Sequence, residues 1–230
     1  ETLRLLSFPD VTNWYLDKGF ATIRRLMKIA KATVGKFMDM PLPSDEVLES
    51  VEDIKDNMSK VKVILEDSKS TTVRLVVNPE KMVIRETMRA YTYLSLYNKN
   101  VEAIVVNRVL PPEAGESAFF ADKMKEQKEN LEMIHNAFDP MEIRYCEMMK
   151  TELRGEEKLR AMARMIFEDE DPAKVYFDAS PMRFETVDGE DRLIMRMPFD
   201  NRKDVELFRI DPVTLMVHVD SQKRNVQLPD

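Results

Sequence analysis

The chain has 230 residues, 43% of them apolar, and 35 Lys+Arg against 42 Asp+Glu give a net charge of −7. That length suits one large domain or two smaller ones with a substantial core, and basic residues scattered along the chain argue against a nucleic-acid partner. Cys146, the single cysteine, excludes an internal disulfide and a Cys-only metal cage and fits a reducing cytoplasm, and no apolar run approaches the ~20 residues that cross a bilayer.

The opening ETLRLLSFPD places Leu3, Leu5 and Leu6 where buried side chains are expected. Leu16, Phe20, Ile23, Leu26, Ala30, Val34 and Phe37 then recur at three and four, the period of one helical face. MPLPSDE stops that helix, and Ser44 followed by two acids offers an N-cap for a second one. Val47, Val51, Ile54, Met58, Val61 and Leu65 form the apolar seam of the second helix. The expectation is an antiparallel helical pair over 11–68, with Met38, Met40 and Leu42 at its connecting turn.

The texture changes at Thr71. TVRLVV reads as a β-branched strand, and Pro79 sits at a helix start, where its missing N–H costs nothing; the helix is expected over 80–97. AIVVN is a second buried-looking strand, and a helix over 117–138 and a strand over 143–146 complete a β-α-β-α-β series. Such a series implies parallel strands, part of a doubly wound α/β sheet, whose ligands bind at the carboxyl ends of the strands. Those ends are Asn78, Asn107 and Glu147. A helix over 156–167 leads into EDEDP, read as a solvated linker over 168–172, and short strands with turns make 173–230 a small all-β module.

Catalytic motifs are sparse. Phosphate cradles need closely spaced glycines, and the chain has only Gly19, Gly35, Gly115, Gly155 and Gly189. VGKF at Val34 lies inside a helical period and lacks the flanking Gly and Ser or Thr of a P-loop. His135 and His218 lie on different modules, and neither forms a nucleophilic dyad with Cys146 or a carboxylate; a satisfied or exposed histidine is the simpler reading. The 17 methionines serve either as core filler or as an adaptable apolar surface.

TLRLLSFPD, STTVRLVVNPEKMVIRETMRAYTYL, VEAIVVNRVLPPE and ELRGEEKLRAMA, in that order, resemble the later portion of the ArsA-type ATPases. That family includes the arsenite-pump ATPase and the ATPase that targets tail-anchored membrane proteins. The resemblance covers about 1–167 and implies that a P-loop and both switch segments precede the TLRLL element in an intact parent. The chain is thus expected to be a C-terminal fragment that does not hydrolyse ATP alone, ATP and Mg being cofactors of the parent. It divides into the start of the ATPase core (1–10), a helical subdomain (11–70) and the C-terminal half of the core (71–167).

The resemblance also implies nucleotide contacts from Asn107, Arg108, Glu147 and Met148, and client contacts from Met38, Met40 and Leu42. An apolar client segment or membrane transporter is the expected partner of a homodimeric parent, cytoplasmic and at most peripheral to the membrane. Three departures weigh on it. SAFF, Ser117 to Phe120, stands where dimeric targeting members carry a CxxC zinc pair, and Cys146 alone cannot make a thiol metalloid site, so no metal ligands are assigned. Glu147 also stands where the family often has proline. DGEDRLIMRMPF and RNVQLP are similar to a small-heat-shock-like (α-crystallin-like) module. The alternative function is a non-enzymatic, chaperone-like module that binds apolar segments.

Overall fold

The structure, a computed structural model, describes residues 3, 5–16, 19, 22, 45–200 and 202–228. Residues 5–16 are helical, and α1 spans Asp45–Glu66. Most of the first helical seam, from Phe20 to Phe37, the VGKF run, and Met38, Met40, Leu42 and Ser44 lie outside the described residues.

β1 (Val73–Val77), α2 (Lys81–Leu96), β2 (Val101–Val109), α3 (Ala121–Phe138) and β3 (Glu142–Glu147) follow in the expected alternation. The strands are parallel in the order β1-β2-β3, with Leu75, Ile104 and Ile143 in register. One sheet face packs on α2 and α3 through Val77, Ile84, Leu94, Ile104, Val106, Ile134 and Phe138. The opposite face packs on α4 (Glu156–Phe167) through Val105, Cys146 and Ile166. Helices thus cover both faces of central strand β2, which explains its unbroken apolar run where a half-exposed strand would alternate. The expected start of α3 at residue 117 moves to Ala121, because 117–120 form a turn after a short 3-10 segment, Pro112–Glu116.

Glu102, near the start of β2, is polar and yet fully buried. Its carboxylate accepts from Arg74 Nε at 2.8 Å, Thr72 Oγ1 at 3.0 Å and the Tyr176 backbone N–H at 2.7 Å. Arg74 also donates to the carbonyls of Pro172 at 2.6 Å and Lys174 at 2.7 Å, while the Asn100 amide donates to Phe177 O at 2.6 Å. Glu170 accepts from Arg144 and from the Tyr176 hydroxyl, and the Tyr176 bond leads the causes that hold its carboxyl below the usual range. The EDEDP stretch is therefore more than a solvated linker: its Glu170 begins a strap tied to the amino ends of the strands.

Beyond the strap, β4 (Met182–Val187) and β5 (Glu190–Met195) form an antiparallel hairpin. Asp188 and Gly189 both have positive φ, 54° and 79°, as a two-residue Asp-Gly hairpin turn requires. β6 (Val205–Asp211), β7 (Thr214–Val219) and β8 (Gln222–Gln227) make a three-stranded antiparallel meander. Val217, Val219 and Val226 of this meander share a core with Tyr93, Leu96 and Tyr97 of the α2 region.

The opening segment departs from expectation. Leu3 and Leu6 pack partly on the core, but Leu5 is 69% exposed, because a helix turns it to the face opposite its neighbours. In α1, the seam residues Val47, Ile54 and Val61 are exposed.

Replacing Arg74 by Met strands the buried Glu102 carboxylate with fewer donors and frees the strap. A loss of about 2–4 kcal/mol in urea unfolding is expected, with faster limited proteolysis near residues 170–177.

Candidate functional site at the carboxyl ends of the strands

The three strands end at one edge of the sheet. Val77 is in register with Val106, which puts Asn78 beside Asn107, and Val109 is in register with Glu147. The Met148 N–H donates to Val109 O at 2.8 Å, extending the pairing one residue past β3. Asn107, Arg108, Glu147 and Met148, separated by some forty residues in sequence, therefore meet on adjacent strands.

β2 runs two residues beyond Asn107, so this residue is not the strand terminus that AIVVN suggests. The ladder to β3 is irregular between Val106 and Val109, and Arg108 has φ 59°. A left-handed arginine inside a strand is an uncommon conformation that turns the local backbone out of the regular pleat. Asn107 is half-buried, and Arg108 and Glu147 are exposed. Among the described residues, no hydrogen-bond partner is present for the Asn107 carboxamide.

The loop after β2 is fixed by a side chain that sequence reasoning missed. Gln127 of α3 accepts from the Leu110 N–H at 2.6 Å and donates back to Leu110 O at 3.1 Å. The carboxamide thereby satisfies both backbone groups of one loop residue, leaving the loop a defined path out of the strand. Asn130 secures the loop after β1 in a similar way, donating to Pro79 O at 2.9 Å. The signal for both was weak: two polar residues on the face of α3 that turns toward the sheet. Past this loop, Phe119 of the SAFF turn is 78% exposed and packs edge-on against Phe120 at 5.1 Å.

A carboxamide carries both a donor and an acceptor, the groups that the edge of a base can pair with. Among the described residues no group of three or more His, Cys, Asp and Glu converges. A cleft of about 790 Å³ lies elsewhere, bounded by Arg85, Arg89, Tyr93, Phe199 and Asp220, and contains none of the strand-end residues. His218 has its Nδ1 2.9 Å from Glu206 Oε2 across β6 and β7, a satisfied histidine remote from Cys146. No described helix is long and apolar enough to cross a membrane.

Cys146 is 2% exposed, and burial, with the adjacent Glu147 adding to it, pushes its thiol above the ordinary range. Folded protein at pH 8 should therefore alkylate at least about tenfold more slowly than unfolded chain, measured by mass shift with iodoacetamide.

The sequence model of the anion-transporting ATPase family (ArsA) matches residues 1–168. Over its whole length the chain is 34% identical to an arsenical pump-driving ATPase 1 of Aquifex aeolicus, so named provisionally, and spans 58% of that protein. It is 31% identical to a provisionally named arsenical pump-driving ATPase of Chlorobaculum tepidum, again over the whole chain and 57% of the relative. The ATPase GET3 of Pyricularia oryzae is 30% identical over 72% of this chain and 49% of its own length. The chain thus spans little more than half of the relatives it matches, and the bacterial matches include the C-terminal strands.

Proposed function

The chain belongs to the ArsA family of anion-transporting ATPases, and we propose that it forms the base-binding end of the nucleotide site and the helical subdomain of an enzyme coupling ATP to membrane-protein targeting or anion and metalloid transport. The observation that carries this reading is the convergence of Asn107, Arg108, Glu147 and Met148 at the carboxyl edge of a parallel sheet. In open α/β sheets that edge is where ligands bind. Asn107 would hold the base edge, Arg108 lies on the solvent side of it, and Met148, half-exposed beyond β3, offers apolar surface to a planar ring.

The β- and γ-phosphates and Mg need donors of another kind. Phosphoryl transfer depends on positioning and charge stabilisation of those groups, and the chain carries no GK[ST] loop to supply them. The 230 residues alone are therefore proposed not to hydrolyse ATP. In the full-length ATPase, Asn107→Ala should weaken nucleotide binding by about 0.5–1.5 kcal/mol, roughly two- to tenfold in Kd by titration calorimetry. Unchanged affinity would assign Asn107 to a turn and the base to other residues.

For the helical subdomain we propose a surface for apolar segments, centred on Met38, Met40 and Leu42. Supporting it, Val47, Ile54 and Val61 of α1 are exposed at a spacing of seven, one line along the helix. That apolar line also favours the second reading, a chaperone-like module that binds without ATP turnover. Photo-crosslinkers at Met38, Met40 and Leu42 in the full-length protein, with a labelled hydrophobic helix as target, separate the two. Crosslinking that responds to ATP supports the coupled enzyme, crosslinking indifferent to ATP supports the second reading, and yields no higher than at Lys60 remove the client surface.

A further inference from the structure

Five ionisable side chains from four parts of the chain meet beneath α1. Arg224 of β8 is 4% exposed, and Lys99, in the connection from α2 to β2, is 2% exposed. The Arg224 guanidinium donates through Nη1 to Leu96 O at 2.5 Å and through Nη2 to Glu66 Oε1 at 3.0 Å, and Nη2 lies 3.7 Å from Asp10 Oδ1. Its Cζ also sits 5.7 Å from the centre of the Tyr97 ring. Lys62 approaches Asp10 at 3.0 Å, and Lys99 approaches it at 3.9 Å. Asp10 belongs to the helical residues 5–16, Glu66 ends α1, and Lys62 lies one turn before it.

We propose that Arg224 is the positioning residue that sets the direction in which α1 leaves the rest of the chain, joining its last turn to α2 and to the helix of residues 5–16. The planar fork suits this task, since its separate N–H groups address a carbonyl and a carboxylate at fixed angles, which an ammonium cannot do. The contacts fall at one end of a 22-residue helix. A small change of direction there is multiplied along about 33 Å of helix. Burial leads the causes that push the Glu66 carboxyl up and the Lys99 ammonium down, and removing one partner of such a pair leaves the other charge uncompensated. The inference stands on this cluster alone and is independent of any nucleotide or client.

The test uses spin labels on Asp53→Cys in α1 and Lys128→Cys in α3, both exposed positions, in the 230-residue chain, with Cys146 buried and unlabelled. Double electron–electron resonance should give one narrow distance in this background. Arg224→Met and Glu66→Leu should each replace it with a broad spread, whereas Glu66→Gln, which keeps an acceptor for Nη2, should restore the narrow peak. Protection of Cys146 from alkylation reports that the sheet remains folded. A narrow, unshifted distance in both Arg224→Met and Glu66→Leu, with Cys146 protected, overturns the proposal. If Arg224→Met loses that protection, Glu66→Leu decides alone, since it removes one bond and leaves the guanidinium on Leu96.

Discussion

Burial on both sides of α2 is the constraint on which the rest of the structure depends. Tyr91, Thr92, Tyr93, Leu94, Ser95 and Leu96 are all buried, so the last six residues of this helix have no solvent face. Ile84, Tyr91 and Leu94 pack toward the parallel sheet, while Tyr93, Leu96 and Tyr97 pack toward β7 and β8. A helix that is apolar all round must be covered all round, and fully burying one large apolar side chain is worth about 1.5–3 kcal/mol. The C-terminal strands meet that demand. Hydrogen bonds reinforce the contact: the Tyr97 hydroxyl donates to Lys223 O at 2.9 Å, and the Ser180 hydroxyl donates to Asn98 Oδ1 at 2.6 Å.

Charge is buried where segments distant in sequence have to be fastened. Glu102 binds the strap to the amino ends of the strands, and Arg224 hydrogen-bonds the last strand to α1 and α2. Each is surrounded by specific partners, because a charge taken from water without them would cost several kcal/mol. Both fastenings lie away from the carboxyl edge of the sheet. That edge is instead shaped by neutral carboxamides, Gln127 on Leu110 and Asn130 on Pro79, which fix loop paths without adding charge.

The carboxyl edge is accordingly a firm frame around a few uncommitted groups. Gln127 and the Met148–Val109 bond hold the two loop exits, while the Asn107 carboxamide has no partner among the described residues. Preorganised surroundings with unspent polar groups are what a binding site needs, because ordering costs are met during folding. Family membership gives this edge a chemical context, and the C-terminal strands, which lie beyond the family match, remain continuous in packing with it through α2.

The sequence by itself determined the alternation of strand and helix over 71–167. Local propensity and periodicity act over a few residues, and TVRLVV, Pro79 and the run AIVVN each carry their signal locally. The same local signals located the edge holding Asn107 and Glu147, because a parallel β-α-β series puts successive strand ends on one side. Only the tertiary structure decided that EDEDP is tied down by Arg144, that Gln127 governs the loop after β2, and that the C-terminal strands share a core with α2. Leu5 shows the limit in miniature: its apolar side chain predicts burial, and the helix turns it to solvent. The hydrogen-bond partners of Arg224, Glu66 and Leu96, lie 158 and 128 positions away. No window of sequence contains such a contact, because chain separation carries no record of which charged groups folding will bring together and remove from water.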